Sequence, residues 1–519
     1  MSHSHQPKSE KPSQHRATNN PPSSPQELSP SALKIGLKAL AVSAGIILVL
    51  MIVSGILTRI LPAGVFDRVV EQGRTLVVPG SYRQIAAPDY PVWRWFTAPF
   101  EIFVAPGNAA LITIILFILF VSGSISILEN AGVMESLIQS LVKRFEHNKY
   151  KLIAVLVFIF MFVASFLGIY EGMVPLIIFI VPLALSLGWD SLTGLGMSLL
   201  PMAFGFASSV TNPFTIAVAQ RIADLPLFSG AWLRIIFFLC VFGIITWYVT
   251  SYAKKIEKNP RLSKTFEADQ GLRASLGIEL SDSKTHDSAQ SAIHHELDPG
   301  HRRALRWFSS CVILALALVF ITSQIPGLSD LAFPLMGLLF FVGGIGGGRF
   351  AGLSGGRIAK VFLRGAGNVM PGVVLVMMAF SVKHIIESGM IMDTILFQAA
   401  ELIRQTPTFS AAFLVYGVTL IMNFFIGSAS AKAVLMMPLL TPLADLVGIT
   451  RQTAVLAFGF GDGFSNMIFP TNALLLIALS FTVVSYPKWM AWTFKLQLMM
   501  LALTSVFLGF AVLIGFGPF

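Results

Sequence analysis

The sequence predicts an all-α polytopic membrane protein, an inverted repeat with two re-entrant hairpins and two interrupted transmembrane helices. Three observations predict it: the apolar composition, a stretch that occurs twice at one offset, and polar loops carrying Gly and Pro at matching places in both copies. Of 519 residues, 55% are hydrophobic and 12% charged, and the mean hydropathy is +0.76. A soluble globule of this length needs a polar exterior that these residues cannot supply. The two cysteines, Cys240 and Cys311, both lie in apolar runs, which supports neither a disulfide framework nor a Cys-ligated metal. The net charge of +10 would suit nucleic acid, but the excess sits in tails and loops, where the positive-inside rule accounts for it. The expected surroundings are a lipid bilayer, with no nucleic-acid partner, no metal and no cofactor.

The duplicated stretch runs from Phe166 to Trp232 and returns 260 residues later, ending at Trp492. Without a gap, Pro182-Leu183-Ala184 falls on Pro442-Leu443-Ala444, Gly188 on Gly448, Thr211-Asn212 on Thr471-Asn472 and Ala231-Trp232 on Ala491-Trp492. Upstream, Gly107-Asn108 falls on Gly367-Asn368. Leu and Ile coincidences carry little weight in so apolar a chain; Asn, Trp and Pro pairs at one spacing mark an internal duplication.

Taken in order, residues 1–35 are polar and low in complexity, and a disordered cytoplasmic tail is expected. The polar lead is too long and too weakly basic for a secretory signal, so the run that follows should stay attached as the first membrane helix. A first half spans 36–252, the leading helix plus repeat 1, with an extracytoplasmic segment at 62–103 that reads as a strand pair followed by an aromatic interfacial helix. The charged stretch 253–303 reads as a cytoplasmic linker. A second half, 304–519, holds two scaffold helices and repeat 2. Basic residues Lys143, Arg144, Lys149 and Lys151 mark one inner loop, and Arg349, Arg357, Lys360 and Arg364 another. The N-terminus is thereby placed in the cytoplasm and the protein in the cytoplasmic (inner) membrane. If 151–188 and 410–447 are hairpins, each repeat crosses three times, and two added helices leave the second copy starting on the opposite face. Inverted repeats with interrupted helices are a signature of secondary transporters.

Candidate site residues come from four polar segments. The hairpin tips are Gly168-Ile169-Tyr170-Glu171-Gly172 and Gly427-Ser428-Ala429-Ser430-Ala431-Lys432. Irregular backbone cannot face lipid, because each unpaired N–H or C=O costs several kcal/mol, so these tips should line an enclosed cavity. Glu171 and Lys432 are charges between apolar arms, expensive to bury without a partner or a task. The breaks in the long runs are Gly205 to Pro213, with Ser208, Ser209, Thr211 and Asn212, and Gly459 to Asn472, with Asp462, Ser465, Asn466, Thr471 and Asn472. Ser, Thr and Asn there can re-satisfy freed backbone or bind a solute. A restarted helix suits a carboxylate, and unwound carbonyls suit Na⁺. Tyr170, Glu171, Ser208, Ser209, Thr211, Asn212, Ser428, Ser430, Lys432, Ser465, Asn466, Thr471 and Asn472 are therefore the candidate substrate-binding residues. Glu171 and Asp462 are the candidate carriers of a coupling H⁺ or Na⁺.

Enzyme classes find no support: there is no HExxH, GxSxG or P-loop, and GGIGGGR at Gly343 follows a membrane run rather than a Rossmann strand. A channel remains the alternative carrier of flux. The stretches FLGIYEGMVPLIIFIVPLALSLGWD, GFASSVTNPFTIAVAQ and TRQTAVLAFGFGDGFSNMIFPTNALL resemble the anaerobic four-carbon dicarboxylate carrier (DcuC) family, closest to its YfcC-like branch within the ion transporter superfamily. The resemblance covers nearly the whole chain from about residue 36. It implies an elevator-type secondary carrier of a dicarboxylate or an amino acid, working as a homodimer. Two departures stand out: YfcC-like members carry two successive acids at the first tip and a Gln near the second, whereas here Gly172 follows Glu171 and Lys432 stands in the Gln region.

Overall fold

The computed structural model describes residues 37–71, 74–106, 109–134, 148–275, 299–323, 328 and 331–517. The tail at 1–35, the linker part at 276–298, Gly107, Asn108, Lys143 and Arg144 lie outside them. Among the described residues, 11 helices are long and apolar enough to cross a membrane. Helix α1 (Leu37–Ile60) leads to two small antiparallel ribbons, β1 (Gly64–Val65) with β4 (Arg83–Gln84) and β2 (Arg68–Glu71) with β3 (Arg74–Val77). The short aromatic helix α2 (Arg94–Glu101) follows, as the alternation and the Trp-rich run predict.

Repeat 1 then comprises α3 (Ala109–Asn130), a hairpin of α4 (Lys149–Phe162) and α5 (Ile177–Ser186), a broken helix of α6 (Ser191–Ser208) and α7 (Ile216–Ile222), and α8 (Ala231–Lys258). After a short α9 (Phe266–Ser275), helices α10 (Pro299–Ser323) and α11 (Ala332–Phe350) lead into α12 (Gly355–Asn368). Repeat 2 comprises α13 (Met370–Ser388), α14 (Met392–Arg404), a hairpin of α15 (Thr408–Phe425) and α16 (Ala429–Val447), a broken helix of α17 (Arg451–Phe464) and α18 (Ala473–Ser480), and α19 (Tyr486–Leu513). The basic segment expected to be an inner loop at 349–364 is mostly helix α12. Its buried Ile358, Val361 and Gly365 fall at helical spacing, with Arg357, Lys360 and Arg364 on the other side.

Side-chain contacts fix which ends share a face. At one end, Tyr252 Oη donates to Asp190 Oδ2 at 2.7 Å and Lys264 Nζ to Ala491 O at 2.8 Å, so the start of α6, the end of α8 and the start of α19 lie together. At the other, Gln452 Nε2 donates to Ser229 O at 3.0 Å and Thr450 Oγ1 to Phe516 O at 2.8 Å, which joins the starts of α8 and α17 to the chain after α19. Equivalent broken helices α6 and α17 thus enter from opposite ends, and the repeats are inverted. Each hairpin returns to its own end. Tyr150 Oη and Trp189 Nε1, at the two open ends of the first, both reach Glu257 Oε2, at 2.6 and 3.4 Å; in the second, Thr408 Oγ1 donates to Val447 O at 2.7 Å.

The polar stretch after residue 253 is more ordered than a linker in its described part. Helix α8 continues to Lys258, with Lys255 and Lys258 in its last turn, where cations favour the helix C-terminus. Beyond it, Ser263 Oγ donates to Asp190 Oδ2 at 2.6 Å and Thr265 Oγ1 to Asp269 Oδ2 at 2.7 Å. The buried Asp269 also accepts from the Ser191 backbone N–H at 3.2 Å. This segment therefore docks on the start of α6 rather than hanging free.

The core is a close meeting of the two broken helices. Every residue of both α6 and α17 except Arg451 is buried, and Phe204 lies 6.0 Å from its repeat partner Phe464, centroid to centroid. A Cβ on Gly463 would sit 2.2 Å from Ala207 Cα, and one on Gly205 would sit 2.6 Å from Met161 O. These contacts correct an expectation: Gly205 and Gly459 to Gly463 do not break their helices. Residues 205–208 and 459–464 stay helical, and at Gly205 and Gly463 the missing Cβ lets two backbones approach instead. The actual breaks fall later, at 209–215 and at 468–472, beyond a 3-10 turn at Ser465–Met467.

Candidate solute site

Each break is built the same way. Thr211 Oγ1 donates to Phe166 O at 2.9 Å, and Thr471 Oγ1 donates to Phe424 O at 2.7 Å, so the same Thr staples each break to the hairpin of its own repeat. Asn212 Oδ1 accepts from Phe214 N and Thr215 N at 2.8 and 3.2 Å; Asn472 Oδ1 accepts from Leu474 N and Leu475 N at 2.9 and 3.2 Å. Asn472 thereby caps α18, and Asn212 holds the turn that leads into α7, each pairing backbone donors two and three residues on.

The amide nitrogens of these two Asn residues differ. Asn472 Nδ2 donates to Asn466 Oδ1 at 2.8 Å. Asn212 Nδ2 is buried and has no hydrogen-bond partner among the described residues. A buried donor left unmade costs about 1–3 kcal/mol, which is tolerated where a ligand supplies the acceptor.

Repeat 2 carries a buried ion pair, at positions where repeat 1 has Gly172 and Met202. Lys432, in the first turn of α16, is fully buried and its Nζ lies 2.6 Å from Asp462 Oδ1, itself 1% exposed. The same ammonium donates to Asn423 Oδ1. The Asn423 amide nitrogen in turn reaches Asp462 O, Ser465 Oγ and Asn466 Oδ1 at 3.0, 2.6 and 3.1 Å. Two contacts carry this network across to repeat 1: Thr215 Oγ1 donates to Asp462 Oδ2 at 3.4 Å, and Ser430 Oγ donates to Phe214 O at 2.9 Å. The hairpin of repeat 2 and the two breaks are therefore one continuous polar cluster. The first hairpin joins it at Gly168, where a Cβ would meet Asn212 Oδ1 at 2.5 Å.

Other predicted residues divide. Tyr170 is buried beside Phe206, its ring centroid 5.9 Å away, and its hydroxyl has no hydrogen-bond partner among the described residues. Glu171 opens the 3-10 segment Glu171–Leu176 and is exposed, outside the buried cluster. Ser208 and Ser209 turn onto their own helix, donating to Phe204 O and Phe206 O, and Ser428 caps α16 by accepting from Ala431 N. Those three hydroxyls are spent on backbone. Ser430 and Lys432 lie in helix rather than in an irregular tip, because the capped helix α16 begins at Ala429.

Sequence reasoning missed four participants. Asn423 sits just upstream of the tip at Gly427, much as Ser165 sits just upstream of Gly168; Ser165 Oγ accepts from Val210 N at 3.1 Å. A polar residue near the end of each hairpin's first arm was the available signal. Thr215 had none beyond its closeness to Asn212. Arg234 of α8 is 1% exposed and donates to the freed carbonyl of Val210 through Nε and Nη2, at 3.4 and 3.2 Å. Among the described residues it has no carboxylate within salt-bridge distance. Its counterpart at the repeat offset is Phe494, which is exposed.

A cavity of about 630 Å³ opens on the side where α1 ends, lined by Arg68, Thr75, Lys383, Asp393, Ser430 and Ala431 among others. Arg68 Nη2 pairs with Asp393 Oδ1 at 2.8 Å at its wall. The cavity reaches the second hairpin at Ser430 and Ala431, next in sequence to the buried Lys432.

Comparison with known proteins places these features in a group. The family described as C4-dicarboxylate anaerobic carrier, DcuC, matches residues 40–514. A curated relative, named "Putative basic amino acid antiporter YfcC", from Escherichia coli (strain K12), is 30% identical over 474 residues, covering 86% of this chain and 91% of that protein. Two solved transporters align along most of the chain. YdaH of Alcanivorax borkumensis has 18% identity, 92% and 100% coverage and a TM-score of 0.37. MtrF of Neisseria gonorrhoeae has 17% identity, 92% and 95% coverage and a TM-score of 0.42.

Proposed function

Because the chain belongs to the C4-dicarboxylate anaerobic carrier family, and so is a membrane transporter rather than an enzyme, we propose that it is a secondary active carrier of a small carboxylate-bearing solute, a dicarboxylate or an amino acid. The observation that carries this reading is the buried polar cluster to which both inverted repeats contribute, with the Asn212 amide nitrogen, which has no hydrogen-bond partner among the described residues, inside it. A solute held there touches groups entering from both membrane faces, which alternating access requires. Charge favours a carboxylate: of the buried charged groups at the two breaks, Lys432 is offset by Asp462, while Arg234 has no acidic partner among the described residues. A positive balance suits an anionic group and opposes a basic amino acid.

Asn212 and Asn472 are the residues proposed to meet the solute, with Asn466, Ser465 and Tyr170 beside them. Elevator movement fits the division of the fold into hairpins and broken helices on one hand and α1, α3, α10, α11 and α13 on the other. A homodimer in the cytoplasmic membrane with the N-terminus inside completes the proposal. Uptake of labelled succinate, aspartate and arginine into proteoliposomes, with and without H⁺ and Na⁺ gradients, tests it. The expected result is saturable flux of succinate or aspartate exceeding that of arginine at least tenfold; large ohmic currents would favour a channel, and no flux of any organic solute would refute the carrier.

A further inference from the structure

The Lys432 ammonium sits where an oxygen-coordinated cation would sit. Its Nζ contacts a carboxylate oxygen of Asp462 at 2.6 Å and the side-chain carbonyl of Asn423. Asn423 itself is fixed by Asp462 O, Ser465 Oγ and Asn466 Oδ1. A carboxylate oxygen and an amide oxygen, both buried beside a broken helix, are donors of the kind that hard cations prefer. The lysine is not part of the broken helix that supplies the carboxylate. It arrives from the second hairpin, and Gly172 stands at the matching position of repeat 1.

We propose that Lys432 is a tethered cation that occupies the seat of an inorganic coupling ion on Asp462, so that this half of the molecule works without Na⁺. The proposal rests on the carrier reading and deepens it. Lys432 here is a positioning residue: its ammonium neutralises Asp462, holds hairpin 2 against break 2, and leaves no vacancy for an ion at that carboxylate. Burial makes the substitution necessary, since an uncompensated Asp462 in this environment would be several kcal/mol unfavourable.

The test compares melting of purified wild type, Lys432→Ala and the double variant Lys432→Met/Asp462→Asn in choline, sodium and methylammonium chloride at equal ionic strength. Wild type and the double variant are expected to melt alike in all three salts. Lys432→Ala should melt lower in choline and recover by about 2 °C or more in sodium or methylammonium at roughly 100 times the cation's Kd. A purely packing role for Lys432 predicts a loss that no small cation restores, and equal melting of Lys432→Ala in all three salts would overturn the proposal. So would a sodium-specific rise in the wild type that Asp462→Asn removes, an arm that decides the matter even if Lys432→Ala does not fold. Because melting is read without any transported solute, failure of the carrier reading shows separately, as absent flux.

Discussion

Asp462→Asn is expected to lower stability by about 3–5 kcal/mol, because it strips the counter-charge from a lysine that is fully buried. Asn is nearly isosteric: its one oxygen can still accept from Lys432 Nζ while its amide nitrogen faces Thr215 Oγ1 and can donate to it, so packing is held and the loss mainly reports charge. The companion variant makes the expectation sharp. Lys432→Met/Asp462→Asn removes both charges at similar volume, and such paired replacements are commonly neutral or stabilising. Thermal melting in detergent should therefore rank the double variant above the single one, close to wild type. A single variant that melts like wild type would mean that the pair is not buried as the structure has it.

Gly463→Val should be comparably severe for a different reason. The first atom of any side chain at this position falls 2.2 Å from Ala207 Cα and 2.4 Å from Ala207 N, and backbone atoms cannot rotate away. Overpacking of a well-filled core costs about 1–3 kcal/mol, more when only the backbone can yield. The two broken helices would have to separate at the point where their repeats cross, which also shifts Thr215 away from Asp462. Loss of both melting temperature and flux is expected. Gly427→Val, where a Cβ meets nothing within 4 Å, is the matched control and should melt within about 1 kcal/mol of wild type.

Much of this arrangement was legible before any coordinates. The Thr-Asn pairs at 211–212 and 471–472 mark the two breaks, and in both the Thr staples the break to its hairpin while the Asn oxygen accepts from the N–H groups two and three residues on. Inversion followed from parity, since a hairpin returns to its own face whichever way its arms run. What could not be read concerns partners. Glycine serves both to break a helix and to let two helices touch; the sequence of Gly205 or Gly463 does not distinguish the uses, and here packing was the answer. Lys432 and Asp462 were both visible as intramembrane charges, but which group compensates which depends on a hairpin folding back over a helix that follows it. Arg234 escaped notice because it lies near the start of an apolar run, where a basic residue ordinarily snorkels outward. Ser208, Ser209 and Ser428 looked like ligands and prove to be bound to backbone, the usual competing use of a hydroxyl at a helix end.

The most direct test of the central claim, that polar groups of both repeats form one solute site, is counterflow of the transported carboxylate in proteoliposomes carrying wild type or Asn212→Asp. Aspartate keeps the oxygen that accepts from Phe214 N and Thr215 N, so the break can still form, although a carboxylate at this buried position lowers stability; the buried amide N–H is lost and a like charge is set against an anionic solute. The account predicts a protein that still folds, melting below wild type, with flux reduced at least a hundredfold. Undiminished counterflow in a folded Asn212→Asp protein would contradict it.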